Sequence, residues 1–143
     1  MDAELFQKLV KSMSLSIIQP VKIEFERFGD IPNGESNVQI NWKMVYPNDS
    51  TYKMVGSVLQ LDPMFDISLN CKNQIIYSHK SIFAIALNIV DKKVFNELWN
   101  NDELQKYFKE KQIIKTLWPI VRQQVLDGLT RLSLPPVSLP WLI

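Results

Sequence analysis

The chain of 143 residues contains few side chains that could carry out chemistry. His79, its only histidine, lies between Ser78 and Lys80 and is the one residue with acid–base potential near neutral pH. A general base needs a partner that orients it, and a lone histidine without an evident partner is more often a surface or capping residue. The sequence therefore predicts a protein that is not an enzyme.

Cys71 is the only cysteine, which excludes an intramolecular disulfide. It alternates in phase with Phe65 and Leu69, and this pattern predicts a small buried hydrophobe instead of a nucleophile. One histidine and one cysteine argue against a zinc site. The four glycines are scattered, whereas a phosphate-binding loop needs them clustered. We expect neither a metal nor a cofactor.

The charges of the chain nearly cancel, with 16 basic against 15 acidic residues and a formal net charge of +1. No overall field attracts nucleic acid or an anionic membrane, so we expect partners to be held by apolar contact. The longest apolar run, 82–87, is too short to span a bilayer, and no secretory signal is visible. These features predict a cytoplasmic protein that does not insert into membranes.

Alternating apolar and polar residues predict a sheet in the first two thirds of the chain. The strand-like runs are 21–26, 38–46, 52–61, 65–71 and a run that returns through Ile76 into 81–90. In the first, Val21, Ile23 and Phe25 face one way and charged residues the other. Turn residues separate the runs by short connections, which favours antiparallel pairing.

Helical periodicity appears at both ends of the chain. Asp2 can cap a short amphipathic helix over roughly the first dozen residues. After Asn101 a second apolar stripe runs towards Thr116, where Pro119 predicts two helices that meet or one helix that kinks. We expect a single α+β domain over 1–143, with an antiparallel sheet of four to five strands backed by C-terminal helices.

Two other kinds of binding module remain open at this point. A strand platform for single-stranded nucleic acid could be built from three aromatic and two basic side chains, Trp42, Tyr46, Tyr52, Lys43 and Lys53. A small-ligand-binding or hydrolytic α+β domain could instead be centred on His79. Cross-strand packing explains the aromatic residues equally well, and a neutral chain attracts phosphates weakly.

The segment 117–140, about one sixth of the chain, resembles the C-terminal region of the SecB-like export chaperones. The likeness is closest to the branch that controls toxin–antitoxin pairs. It rests on an aromatic-proline element, a following arginine, a helix and a proline loop, here Leu117-Trp118-Pro119, Arg122, 121–130 and Leu134-Pro135-Pro136.

This resemblance implies a four-stranded antiparallel sheet backed by helices, assembly as a dimer of dimers, and no catalysis. It also implies an ATP-independent holdase that binds apolar segments of non-native polypeptides and passes them to the SecA motor or to an antitoxin. Apolar surface without catalytic residues suits that role, and methionine and aromatic side chains can repack around many partners.

Candidate residues follow from the pattern and the resemblance together. Client binding is assigned to Trp42, Met44, Met54, Leu59, Met64, Phe65, Trp99 and Trp141. Glu24 and Glu26 are candidates for docking SecA. The apolar face of the last helix supplies a candidate oligomer interface, Val121, Val125 and Leu129, and Arg122 is expected to pair with a carboxylate or carbonyl near it.

Overall fold

A computed structural model describes residues 1–31, 37–47 and 52–140. In chain order its elements are α1 (Ala3–Lys11), β1 (Met13–Arg27), β2 (Gln39–Val45), β3 (Lys53–Val55), β4 (Val58–Leu61), β5 (Met64–Cys71), β6 (Gln74–Ile89), α2 (Lys92–Trp99), α3 (Asp102–Tyr107) and α4 (Ile113–Arg131). A single π-helical turn, Phe108–Gln112, joins α3 to α4.

All six strands belong to one antiparallel sheet, arranged in four rows. β1 forms the first row and β6 the second, while β5 and β4 together form the third and β2 and β3 the fourth. The third row is interrupted at Asp62-Pro63, but the Pro63 carbonyl still accepts a hydrogen bond of 3.0 Å from Phe83. The predicted α+β class, with C-terminal helices backing an antiparallel sheet, is confirmed.

The strand count differs from the expected four to five because the run 52–61 is a hairpin. Gly56 adopts a positive φ of 62°, which a glycine reaches without the steric cost of a side chain. The chain turns there, so that Val55 pairs with Val58 and the single expected strand becomes β3 and β4.

β1 is longer than the sequence pattern predicted, since it begins at Met13 instead of near Val21. Two bulges, between Leu15 and Ile17 and between Pro20 and Lys22, shift its register against β6. Each bulge adds a residue and breaks the alternation of side chains, which explains why the first half of the strand does not read as one.

Alternation along β5 and β6 separates the two faces of the sheet. Throughout β5, and from Tyr77 onwards in β6, odd-numbered residues point into the core, where α4 covers them, and even-numbered residues point away from it. Before Tyr77 the order is reversed, with Ile76 buried and Ile75 exposed, next to the register shift between β5 and β6. The largest fully buried side chains on the covered face are Tyr77, Phe65, Phe83, Leu59, Ile67, Leu69 and Ile85. We refer to the opposite side as the open face.

The two helical ends of the chain form largely as expected. The Asp2 carboxylate accepts hydrogen bonds from the backbone N–H groups of Glu4 and Leu5, at 2.9 and 3.2 Å, and caps α1. Pro119 lies inside α4, which runs through Thr116 without ending there. Of the two predicted alternatives, the meeting of two helices near Thr116 is wrong, because one helix runs through this position with Pro119 inside it. The irregularity that the structure shows is the π turn earlier in the chain.

The segment after α4 folds back onto the domain. Ser133 has a positive φ of 60°, and the Leu134 N–H donates to the Leu129 carbonyl, which reverses the chain at the helix end. Leu134 and Leu139 are buried in the core, and the Trp118 indole N–H donates to the Pro140 carbonyl over 2.6 Å. This apolar, proline-rich segment is docked over 134–140.

Candidate functional site

The open face carries a groove of about 570 Å³ that crosses the sheet at its β3–β4 end. Its lining comes from every row of the sheet and from the residues beside it: Ile17, Gln19, Tyr52, Lys53, Gln60, Leu61, Asp62, Ala84, Ile85 and Ala86. Ala84 and Ala86 lie on consecutive open-face positions of β6. Because alanine leaves the backbone nearly uncovered, these two residues form the floor of the groove.

The sides of the groove differ in chemistry. β1 supplies Ile17, which is 52% exposed, while Tyr52 stands on the opposite side. The Tyr52 ring is held in an edge-to-face contact with Trp99, with ring centroids 5.3 Å apart. Lys53 and Asp62 place one charge of each sign at the rim. The groove thus combines apolar lining residues with a few polar ones, a composition typical of sites that bind a ligand with both apolar and polar groups.

Next to the groove, β1 exposes an unusual amount of aliphatic surface. Four of its large apolar side chains are between 44% and 64% exposed, namely Leu15, Ile17, Val21 and Ile23. Of the described strands, only β6 pairs with β1, so the other edge of β1 has no strand partner. An edge strand with free N–H and C=O groups and exposed apolar residues is a template for pairing with another chain.

The residues assigned to client binding are scattered over the molecule. Leu59, Phe65 and Trp99 are at most 4% exposed and belong to the core. Trp42 and Met44 are half-buried on the covered face, where Trp42 packs on Trp118 with ring centroids 4.6 Å apart.

Among the client-binding candidates that the structure describes, two reach solvent where a partner could lie. Met54 is 39% exposed near the edge of the fourth row, and Met64 is half-buried on the open face. Trp141 lies outside the described residues. The groove itself was missed from the sequence, although small Ala84 and Ala86 between large residues of a predicted strand are a readable signal.

The oligomer-interface candidates occupy the core of a single chain. Val121, Val125 and Leu129 are fully buried on the side of α4 that faces the sheet, so this structure does not present them to a second copy. Their helical spacing correctly indicated a buried face, and the surface it buries is the chain's own sheet. Arg122, on the same helix, is half-buried.

Glu24 and Glu26 are exposed on the open face of β1, as the alternation predicted. The strand register places Lys80 opposite Glu24, and the Lys22 ammonium lies 3.0 Å from the Glu24 carboxylate. The negative charge of the two glutamates is therefore largely balanced by neighbouring lysines, and both glutamates lie away from the groove.

His79 has no access to solvent and cannot contact a substrate. Its Nδ1 lies 3.1 Å from the Tyr77 hydroxyl and its Nε2 lies 3.3 Å from Oε1 of Gln124 on α4. Burial lowers the pKa of His79 from its ordinary value, and the Gln124 contact offsets part of that shift. Burial likewise raises the pKa of Tyr77. The arrangement is a neutral polar network that joins the helix to the sheet.

Other features considered in the sequence also have structural explanations. Cys71 is buried, as its phase predicted. Trp42 packs on α4, the Tyr46 hydroxyl donates to the Lys109 carbonyl in the π turn over 2.6 Å, and Tyr52 packs on α2. These contacts favour packing roles for the three rings over a platform for bases.

Within the described ranges, no three His, Cys, Asp or Glu residues converge to hold a metal ion. No helix found there combines the length and the apolarity needed to cross a membrane.

The comparisons with known proteins decide the fold. No family model and no curated protein matches the sequence. A solved structure, that of the Mycobacterium tuberculosis Rv1957 SecB-like chaperone in complex with a ChAD peptide from the Rv1956 HigA1 antitoxin, superposes with a TM-score of 0.71. The match covers 98% of this chain and 97% of that one, at 16% sequence identity. The chain has the SecB-like fold.

This SecB-like fold accounts for the resemblance carried by 117–140, because the Trp-Pro element lies in α4 and the Leu-Pro-Pro element opens the docked segment. It also reconciles the strand counts, since six strands in four rows satisfy a four-stranded plan. The groove and the free edge of β1 both leave apolar surface open in the part of the chain that the structure describes.

Proposed function

We propose that this protein is a non-enzymatic, ATP-independent chaperone of the holdase type that binds extended apolar segments of non-native polypeptides. The observation that carries the proposal is the open-face groove, whose floor is Ala84 and Ala86 and whose sides are Ile17 and Tyr52. A groove of about 570 Å³ accommodates several side chains of an extended segment, and its aliphatic lining residues favour apolar side chains without selecting one sequence.

An antitoxin is the client class that the comparison favours. The solved SecB-like neighbour contains an antitoxin peptide, and this chain shares its fold over nearly its whole length. We infer that a segment of an antitoxin, unfolded before it meets its toxin, is held in the groove. An unfolded client loses conformational entropy when it becomes ordered in the groove. This loss lowers its affinity and favours reversible binding.

Protein export with SecA is the less favoured setting. Docking of SecA at Glu24 and Glu26 requires these carboxylates to attract a basic partner. Lys80 lies opposite Glu24 in the sheet and Lys22 pairs with it, so the local charge is nearly balanced. This pattern supports a role for the glutamates in solvation and strand pairing.

The test is suppression of aggregation. The purified protein, without nucleotide, is mixed with an unrelated protein diluted from denaturant, and light scattering is followed. We expect suppression at stoichiometric amounts of chaperone. Failure to suppress scattering at a tenfold excess would contradict the proposal.

A matched pair of variants locates the site. Ala86→Gln fills the groove floor, whereas Ser78→Gln places the same side chain on the same strand and face outside it. Affinity for a reduced, carboxymethylated client is expected to fall about tenfold, or about 1.4 kcal/mol, in Ala86→Gln. Ser78→Gln is expected to match the wild type, and an equal loss in both variants would place the client elsewhere.

A further inference from the structure

The open face carries a row of charged residues whose sign alternates from strand to strand. This charged row crosses the sheet through β1, β6, β5 and β2, in the order Glu24, Lys80, Asp66 and Lys43. We propose that the charged row borders the client-binding surface and accepts charged residues of either sign that flank the apolar run of a client. The inference rests on the proposed function and names a feature of the clients that the protein selects.

The strand register places the four residues of the charged row side by side. Lys80 lies opposite Glu24 on one side and opposite Asp66 on the other, and Asp66 lies opposite Lys43. Residues directly opposite each other share one face of the sheet, and Lys80 and Asp66 occupy positions that point away from the core. Glu24, Lys80 and Lys43 are exposed, and Asp66 is half-buried. The row is therefore accessible from the open face.

The charges of the row are available to a partner. The Lys22 ammonium pairs with Glu24 at 3.0 Å. No ion pair is formed among Lys80, Asp66 and Lys43, all of which lie in the described part of the chain. These three side chains lie close enough to influence one another, but they can still contact a charge that a client brings.

The two sides of the charged row differ in character. Towards the groove, the next open-face positions on β6, β5 and β2 hold half-buried apolar residues, namely Ile82, Met64 and Val45. On the far side, the next positions on the same strands hold polar residues, namely Ser78, Ser68 and Asn41. The charged row thus marks the boundary between an apolar half and a polar half of the open face.

This boundary lies within reach of a client held in the groove. Lys80 is four residues from Ala84 along β6, or about 13 Å at the usual rise of a strand. A client that leaves the groove over Ile82 and Met64 meets the row there. Apolar side chains placed over these charges would remove water from them without supplying a partner. The apolar run of a client should therefore end at the row, and a charged residue should follow it.

The alternation of sign explains why either charge is accepted. Neighbouring strands are about 4.8 Å apart, so a flexible charged side chain finds an opposite charge within one strand spacing. A row of one sign would attract one class of flanking residue and repel the other. The exposed charges on either side of the row on β1, Lys22 and Glu26, are also of opposite sign. The balance therefore extends beyond the row.

Peptide binding to the full chain tests this role. Three labelled peptides share an apolar run of about eight residues, which spans about 26 Å when extended, and carry lysines, glutamates or serines at both ends. In about 20 mM salt, fluorescence anisotropy should show that the wild type binds the lysine and glutamate peptides about threefold more tightly than the serine peptide. The affinities for the two charged peptides should agree within about twofold.

Two results with the wild type would overturn the role of the row while leaving the proposed function intact. One is equal affinity for all three peptides. The other is a preference of about tenfold or more for one sign of charge, which a balanced row does not produce.

Lys80→Glu reverses the centre of the row. It removes an attraction for the glutamate peptide and adds a repulsion, so the lysine peptide should bind about tenfold more tightly than the glutamate peptide in about 20 mM salt. This ratio should fall below about twofold in 0.5 M salt, where exposed charges are screened. Lys43→Glu, at the outer end of the row, should give a smaller preference of the same sign and replaces Lys80→Glu if that variant does not fold.

Lys92→Glu is the matched control. Lys92 is exposed at the start of α2, outside the sheet, and its substitution changes the net charge of the chain by the same amount. We expect Lys92→Glu to bind the lysine and glutamate peptides in the wild-type ratio. A preference as strong as that of Lys80→Glu would show that net charge acts instead of the row, and would overturn the inference.

The serine peptide separates the row from the groove. Its binding depends on apolar contact, so Ala86→Gln should weaken it about tenfold, whereas Lys80→Glu should leave it unchanged within about twofold. Failure of the wild type to bind any of the three peptides would overturn the proposed function and the role of the row together.

Discussion

The two faces of β6 show how one strand serves both stability and binding. On the covered face, Phe83 and Ile85 are at most 1% exposed, and they help to hold the domain together. Their even-numbered neighbours Ala84 and Ala86 lie on the open face and form the groove floor. A shift of one residue in the register of β6 would exchange its odd-numbered and even-numbered side chains between the two faces. The groove forms on the face that α4 leaves uncovered, so the position of α4 also determines where the groove forms.

The largest expected difference between the faces is at two consecutive residues of β5. Phe65 is fully buried and contacts Phe83 and Trp118, so Phe65→Ala should lower the free energy of unfolding by about 3 to 5 kcal/mol. Met64→Ala, on the open face, should cost less than about 1.5 kcal/mol because Met64 is only half-buried. Urea denaturation of both variants measures the difference, and equal losses would mean that the open face is packed like the core.

Gly128 tests how closely α4 approaches the covered face. A Cβ added there would collide with the hydroxyl oxygen of Tyr77, and the full burial of Tyr77 leaves its side chain little room to move. We expect Gly128→Ala to cost about 1 to 3 kcal/mol by thermal or urea unfolding. Gly29→Ala is the control, since no atom lies within 4 Å of its added Cβ.

A double variant identifies the contact. Adding Tyr77→Phe removes the oxygen that collides with the new methyl group, so the combined loss should be smaller than the sum of the two single losses. Strict additivity would show that the collision with Tyr77 does not cause the effect of Gly128→Ala.

The buried His79 makes the covered face sensitive to pH. Its pKa in the folded state is below the ordinary value of 6.5, so between these two values the unfolded chain binds more protons than the folded one. Stability should therefore be complete above about pH 6.5 and decline as the pH falls below it, by at most about 1.4 kcal/mol per pH unit.

Because His79 is the only histidine, His79→Gln should flatten the profile between pH 6.5 and 5. Urea midpoints measured at each pH provide the comparison. A wild-type profile that stays level over this range would contradict the assignment.

The smallest effect is expected on the polar part of the open face. The Lys22 and Glu24 side chains are each 58% exposed, and their ion pair spans 3.0 Å in contact with solvent. Lys22→Ala should change the free energy of unfolding by about 0.5 kcal/mol or less, and less still in 0.5 M salt. A loss comparable with that of Gly128→Ala would show that this pair is structurally more important than its exposure indicates.

Features that repeat with a regular period could be predicted from the sequence. The alternation of 65–71 located β5, the apolar run 81–90 located the second half of β6, and Asp2 marked the start of α1. In each case a local rule of spacing or capping agrees with the final structure.

Features that depend on tertiary placement could not be predicted in the same way. Alternation shows that Phe65 and Met64 point to opposite faces, but which face the helices cover depends on α4, so core residues were assigned to clients. The bulges in β1 interrupt the period and concealed its first half.

One missed element did leave a local signal. Helix α2 begins after the cap Asp91 and buries Phe95 and Trp99, which are one helical turn apart. Trp99 was assigned to client binding, whereas it lies in the core.

The pairing of β6 on both sides has a mechanical consequence for recognition. β1 pairs with it along one edge, while β5 and β4 share the other, so freeing any central stretch requires breaking two ladders at once. Local opening is least frequent where such constraints are greatest. The floor at Ala84 and Ala86 is thus the stiffest part of the groove. Adaptation to different clients must therefore come from the side chains at its rim.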